Sequence, residues 1–450
     1  MDIDELWEGM NEGAARKDAR SLMASLNRKP KPKPKKKTKP KPKSRLPGGL
    51  GKPPVADVMA DTEVEGALVM SGAGAAAVHP LAAFATVDDV LVAHQRDVNC
   101  LTDDVVATRR GGLQRLHDLV CSEAPLTAAA ESLLRQLYPV VMKPLLKRFA
   151  DPVERCRELA VLTTTAFARH LMDFSSALPY VVPVLMERSA APMSYDFEQH
   201  EFIKDMDAYD AKRRGRVVDE SPYVLKVTEP AEELRLLLCR LLRTVVDRAI
   251  AVGAEALLSP YFHNFITAGY TFALDPYPEL RVEGCLLLAL FVARVPHVMK
   301  HFVLGLMKAV KTGLDHRRAK VRLATLDAIC ALVACPDEAK RKGAGTEGLT
   351  DLTAFQDPNS VAVSAFYRDE ARINYFAKLA VDGNATVREK FYDVLGFWMT
   401  TLPDRWDHES RLVPYILSGF SDPNPALRDK CFAVVQQCGV AYEKEKAEDV

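Results

Sequence analysis

The feature that most constrains the fold is a recurrence in which an acidic residue is followed six positions later by an arginine. Six copies keep this spacing, and a seventh, Asp315 with Arg322, has a spacing of seven. Successive arginines lie 40 to 78 residues apart. Recurrence at such intervals predicts a chain built from repeated units. The six copies are Asp103/Arg109, Asp151/Arg157, Glu229/Arg235, Asp275/Arg281, Asp382/Arg388 and Asp422/Arg428.

The residues after each arginine predict a helix. Offsets of three, six, seven and ten are mostly apolar, as in Leu238, Leu241, Leu242 and Val245 after Arg235. This spacing places apolar side chains on one stripe of an α-helix. A second helical segment, often with an internal proline, precedes each acid, which is placed to cap the helix that follows. Each unit is therefore predicted to be a bent helix, a tight turn and a second helix.

These units resemble HEAT repeats, whose period is about 40–47 residues. The prolines of the first helices and the Val/Leu-Arg pairs, such as Leu280-Arg281 and Val387-Arg388, are part of the resemblance. The fold class we expect is all-α, a right-handed α-solenoid of about seven HEAT-like helical hairpins with a disordered N-terminal tail. The resemblance implies that the turn acids and arginines form a structural ladder between neighbouring repeats.

Composition divides the chain into two regions. We expect residues 1–78 to form a disordered tail and residues 81–450 the solenoid, with insertions near 189–228 and 336–360. The tail contains a Lys/Pro-rich tract at 29–43, and residues 28–45 hold eleven Lys or Arg and no acid. Alternating proline and like charge favour an extended, solvated segment. It acts either as a spacer or as a nuclear-localisation or polyanion contact.

Three aromatic residues are candidates for docking a protein partner. Trp7 lies in a segment of the tail that is predicted to form a short helix. Tyr195 and Phe197 lie in the insertion near 189–228. Insertions of a solenoid form loops and are often on the binding face. We also expect partners to bind along the concave surface formed by the second helices.

Several function classes are disfavoured by the sequence. The longest apolar run, Cys285–Ala293, is too short to cross a membrane. The acidic N-terminus has no secretory h-region, and nine cysteines without a CxxC pair favour reduced thiols in the cytosol or nucleus. No nucleophile elbow, phosphate loop or metal-ligand set stands out. We therefore expect no enzyme activity, no cofactor, no metal, no membrane association and no small-molecule substrate.

A narrower resemblance covers several segments. Residues 95–110 (QRDVNCLTDDVVATRR), Phe397-Trp398 and residues 439–449 (GVAYEKEKAED) resemble the HEAT-repeat axonemal dynein assembly factors. That family implies a cytoplasmic scaffold that preassembles dynein arms for cilia or flagella, with dynein intermediate and heavy chains and chaperones as partners. Nuclear or flagellar association through the basic tail stays open. The alternative is another HEAT scaffold, such as a nuclear transport receptor or a phosphatase regulatory subunit.

Overall fold

The structure is a computed structural model that describes residues 78–192, 194–204, 209–210, 229–335, 374–402 and 405–448. The basic tract at 29–43, Trp7 and the predicted insertion near 336–360 lie outside these residues, and the predictions for them stay predictions. The first described element is a 3-10 helix at Pro80–Ala83.

The described residues form fifteen α-helices, of which fourteen make up seven consecutive pairs. The fifteenth, α9 (Pro296–Met299), is a single turn between the fourth and fifth pairs. The pairs are α1 (Val87–Cys100) with α2 (Val106–Val120), α3 (Ala128–Lys147) with α4 (Glu154–Ala168), α5 (Leu178–Ser189) with α6 (Glu232–Ala251), α7 (Phe262–Ala273) with α8 (Pro278–Arg294), α10 (Val303–Val310) with α11 (Ala319–Val333), α12 (Tyr375–Ala380) with α13 (Ala385–Thr401), and α14 (Glu409–Ser418) with α15 (Pro425–Glu448).

The pairs stack in two rows. The second helices pack side by side in the order α2, α4, α6, α8, α11, α13 and α15. The first helices form the other row, in which α1 packs on α3, α3 on α5, α5 on α7, α7 on α10, and α12 on α14. Because the apolar stripes meet both their partner helices and the neighbouring pairs, the buried side chains form one continuous core. The expected all-α solenoid is thus confirmed.

Local sequence signals set the ends and bends of the helices. Thr86 caps α1, since its hydroxyl accepts the Asp89 amide at 3.2 Å while the Asp89 carboxylate accepts the Thr86 amide at 2.9 Å. Prolines occur inside the first helices α3, α5 and α14, as the sequence predicts. An internal proline removes one helical hydrogen bond and bends the helix, which lets the first helices curve over the core.

The first insertion contributes a small β-hairpin that the sequence did not predict. Strand β1 (Ser194–Asp196) pairs antiparallel with β2 (Glu201–Ile203), and Tyr195 lies opposite Phe202. Phe202 stacks on Tyr270 of α7 with ring centroids 4.1 Å apart. Tyr195 packs on Phe302, just before α10, at 4.8 Å. The described part of the insertion therefore folds back onto the row of first helices.

Replacement of Gly284 tests the packing within a pair. Gly284 of α8 packs against the backbone of α7, and a Cβ atom there would lie 2.9 Å from the Ala273 Cα atom. We expect Gly284→Ala to lower the free energy of unfolding by about 1–3 kcal/mol, measured by urea denaturation. Gly439→Ala in α15 is the control, because nothing lies within 4 Å of its Cβ position. It should stabilise the chain by up to about 1 kcal/mol. Equal effects of the two changes would contradict the packing described.

Candidate functional site: the arginine ladder

Each ladder arginine lies near the start of a second helix, and five of the seven connect two turns. Nη1 of Arg235 donates to the backbone oxygen of Glu229, in the turn of its own pair, at 3.1 Å. Nε and Nη2 donate to the two carboxylate oxygens of Asp275, in the turn of the next pair, at 2.8 and 2.9 Å. Asp275 also accepts the Tyr277 amide at 2.8 Å, just before α8 begins. We call this arginine–carboxylate contact a rung.

Five rungs of this kind occur in the described part of the chain. In each one the arginine reaches forward to the turn acid of the next pair and binds it with two nitrogens. The shortest nitrogen–oxygen distance is 2.8 Å in the first three rungs and 2.7 Å in the last two. The rungs are Arg109–Asp151, Arg157–Glu229, Arg235–Asp275, Arg322–Asp382 and Arg388–Asp422.

Four of the five rungs are buried and the rung Arg322–Asp382 is partly buried; the ionisation of these groups follows from the pairing. Burial is the largest single effect on the pKa of Asp151 and raises it, but the hydrogen bonds from Arg109 and the Val153 amide and the charges of Arg109 and Arg148 together outweigh burial, so the pKa lies below its ordinary value. The hydrogen bond from Arg388 lowers the pKa of Asp422 and raises the pKa of Arg388 itself. These groups are therefore charged at neutral pH, and loss of one partner leaves an uncompensated charge in the core.

Two further donors, which sequence reasoning missed, strengthen the second and third turns. Arg148 donates to Asp151 at 3.0 Å, and Arg188 donates to Glu229. Both arginines lie near the end of a first helix, a few residues before the insertion or the turn. A basic residue at that position is the signal that could have identified them. Glu229 accepts both Arg157 and Arg188, so the ladder continues across the first insertion.

The fifth turn differs from the predicted pairing, because His316 and not Asp315 occupies the place of the turn acid. His316 has the extended backbone of the other turn residues, with φ −72° and ψ 141° against −61° and 138° for Asp151. Nη1 of Arg322 donates to the His316 backbone oxygen at 2.7 Å, six residues back as in the other rungs. The His316 ring accepts the Arg318 amide at 3.1 Å, as the acids do elsewhere.

The predictions that Asp315 is a turn acid of the ladder and that Arg281 binds the acid of the next turn were therefore wrong. Asp315 forms a half-exposed ion pair with Lys378 at 2.7 Å. Among the described residues Arg281 contacts no carboxylate; its Nη2 donates to the Leu274 backbone oxygen at 3.2 Å and its buried Nε has no acceptor. Burial lowers the pKa of Arg281, and burial and the Arg281 charge lower the pKa of His316. The ladder is thus interrupted between the fourth and fifth pairs.

At each end of the ladder, one charged side chain forms no rung within the described residues. Asp103 accepts the Val105 amide at 2.7 Å, and no arginine in the described residues binds its carboxylate. Arg428 donates through Nη1 to the Asp422 backbone oxygen at 2.7 Å, and no described carboxylate binds its other nitrogens. All fourteen predicted ladder residues thus lie at or beside the turns, and ten of them form the five rungs.

Two of the predicted docking aromatics, Tyr195 and Phe197, differ in exposure. Tyr195 is 6% exposed, and it packs among Phe197, Phe202 and Phe302. Its assignment as a docking residue is wrong, because the β-hairpin turns it toward the first helices. Phe197 is 56% exposed and remains available at the surface. No group of three His, Cys, Asp or Glu suited to a metal occurs in the described residues, and no helix there could cross a bilayer.

Loss of a rung arginine should destabilise the chain much more than loss of a surface arginine. Arg235→Ala leaves the buried Asp275 carboxylate unpaired, and we expect a loss of about 3–5 kcal/mol in urea unfolding. Arg110→Ala, at an exposed arginine of α2, should change the free energy by no more than about 0.5 kcal/mol. Arg281→Ala should cost less than Arg235→Ala, because it strands no carboxylate. Similar losses for Arg110 and Arg235 would contradict the ladder.

A single change should restore the interrupted rung. His316→Asp places a carboxylate where Arg281 can bind it, and we expect a gain of about 1.5–3 kcal/mol in the free energy of unfolding. The same change in an Arg281→Ala background should give no gain, because the donor is absent. A gain that persists without Arg281 would show that His316→Asp acts by another route.

A protein-family model matches most of the described solenoid. The family model described as "Dynein axonemal assembly factor 5-like, TPR repeats" matches residues 100–204, 224–342 and 368–450. Its description names another class of helical-hairpin repeat than the one the sequence resembles, and both classes stack paired helices. The alignment with a designed armadillo repeat protein of known structure covers 77% of this chain and 99% of that protein, with 12% sequence identity and a TM-score of 0.33.

Curated relatives carry the same family name. Dynein axonemal assembly factor 5 of Xenopus laevis is 25% identical over 80% of this chain, and that of Mus musculus is 26% identical over 76%. The matched parts are 35% and 33% of those relatives, so the chain spans about a third of their length. With the family model matching more than half of its residues, the chain belongs to the Dynein axonemal assembly factor 5-like family of helical-repeat proteins.

Proposed function

We propose that this chain is a non-enzymatic scaffold that acts in the preassembly of axonemal dynein arms in the cytoplasm, before transport into cilia or flagella. Its partners are dynein intermediate and heavy chains together with chaperones. The names of the matched relatives support the dynein-assembly role. The observation that carries the proposal is the stacked row of second helices, because it offers a long, ordered surface on which several proteins can be held at once.

The charges on this surface favour recognition by shape. Side chains of neighbouring second helices neutralise each other, as in Arg318–Glu279 at 2.6 Å, Lys390–Asp327 at 2.5 Å and Lys430–Asp393 at 2.8 Å. Such exposed pairs add little stability, but each places a positive side chain beside a negative one and so reduces the local net charge. A partner is therefore selected by fit and by local apolar contacts, and less by long-range steering.

Depletion and rescue in a flagellated cell test the proposal. Cells without this protein should lose dynein arms from their axonemes, seen by electron microscopy, and should swim poorly. Tagged chain purified from the cytosol should bring dynein intermediate and heavy chains with it. Normal arms in the depleted cells would contradict the proposal, and co-purification of a small GTPase or a phosphatase subunit instead would favour the alternative scaffolds.

Two rescue variants connect the function to the structure. A chain carrying Arg235→Ala and Arg388→Ala loses two rungs, and we expect it to restore few arms. Arg110→Ala is the matched control, because it removes an exposed arginine and leaves the ladder intact. It should rescue as well as the unchanged chain. Full rescue by the ladder variant would show that the function does not depend on the stacked geometry.

A further inference from the structure

Among the six junctions between described pairs, the one between the fourth and fifth pairs alone lacks a rung. Arg281 binds a backbone oxygen there, and His316 stands in the place of the turn acid. The second helices α8 and α11 are held together by apolar packing and by the exposed Arg318–Glu279 ion pair. An exposed pair of this kind adds little stability. The opposite side of this junction, in the row of first helices, carries a contact that the other junctions do not share with it.

The β-hairpin of the first insertion lies across that junction. On one side, Phe202 of β2 stacks on Tyr270 of α7, in the fourth pair, with ring centroids 4.1 Å apart. On the other side, Tyr195 of β1 packs at 4.8 Å on Phe302, the residue directly before α10 of the fifth pair. The two hairpin rings contact each other at 4.7 Å. A segment inserted within the third pair therefore contacts the fourth and fifth pairs together.

Helix α10 has the residues that this contact requires. Gly305 leaves room for the Tyr195 ring, because a Cβ atom on Gly305 would lie 2.6 Å from Cε2 of Tyr195. The same Cβ atom would lie 3.0 Å from the His200 backbone oxygen. Three residues further along α10, Lys308 donates through Nζ to the Gln199 backbone oxygen at 3.2 Å. A close steric fit and a hydrogen bond thus fix one register of the hairpin on α10.

The hairpin is folded by its own turn. One carboxylate oxygen of Asp196 accepts the amides of Glu198 and Gln199 at 2.7 and 3.1 Å. Such a side-chain contact stabilises a tight turn without help from the rest of the chain. The rings that attach the hairpin to α7 and α10 are uncharged, so their release leaves no buried charge without a partner, in contrast to the loss of a rung. The hairpin can therefore leave the first helices as a unit.

We propose that the β-hairpin is a strap that closes over the junction between the fourth and fifth pairs and takes the place of the missing rung. Release of the strap makes this junction the point at which the row of pairs flexes. The strap rests on α10, which has eight residues. A helix of that length is not stable alone, so its order depends on what packs against it. The proposal concerns the described part of the insertion and does not depend on the dynein role.

Amide hydrogen exchange of the full chain tests the strap with two independent variants. Tyr195→Ser with Phe202→Ser removes the ring contacts, and Gly305→Ala pushes the hairpin away while raising the helix propensity of α10. In both variants the exchange of α10 should speed up by about tenfold or more, and that of α12, one pair further on, should not change. Gly439→Ala, at an open helix position, is the control and should leave α10 unchanged. Unchanged α10 exchange in either variant, or equal acceleration in α12, would overturn the proposal.

A rescue experiment tests whether the strap replaces a rung. In the chain with Tyr195→Ser and Phe202→Ser, the further change His316→Asp gives Arg281 a carboxylate on the opposite side of the same junction. Because a rung and the strap hold the same two pairs, the new rung should restore most of the protection that α10 has lost. With Arg281→Ala added, it should restore none. No restoration by His316→Asp, or restoration that persists without Arg281, would overturn the proposal.

Discussion

The two-nitrogen contact between an arginine and the carboxylate of the following turn is the interaction on which the rest of the structure depends. One guanidinium satisfies a carbonyl of its own turn and a carboxylate of the next, while that carboxylate also accepts the amide two residues beyond it. The same hydrogen-bond network therefore caps the second helices and fixes the register between neighbouring pairs. Because these groups are buried and charged, a pair that shifts along its neighbour exposes unpaired charge in the core, which is strongly unfavourable.

The interruption at His316 shows how much the apolar core contributes beside the rungs. Pairs four and five stay stacked although Arg281 has no carboxylate, since α8 and α11 still bury Cys285, Leu288, Ala328 and Ile329 between and beside them. Burial of apolar area provides most of the attraction and has no direction. The rungs, which are directional, select one register from those that the apolar stripes permit.

The sequence sufficed for the parts of the fold that depend on local periodicity. The spacing from Asp or Glu to Arg and the apolar offsets after it located all seven second helices. Asp315 is the nearest acid in sequence, but the turn requires only a residue whose side chain can accept the amide two positions on, and the His316 ring does so. The burial of Tyr195 was not predictable, because it depends on Phe302, which is distant in sequence, and on a β-hairpin that brings Phe202 against both Tyr195 and Tyr270.

The proposed scaffold role requires a surface that keeps its shape over many helix pairs, and the ladder contributes to this by linking five of the six successive pairs of neighbours. A double-mutant cycle on Arg235 and Asp275 measures that link most directly, with the free energy of unfolding determined for both alanine variants and for the double variant. The account predicts a coupling energy of about 1.5–3 kcal/mol. Losses that simply add would contradict it, because the two side chains would then act independently.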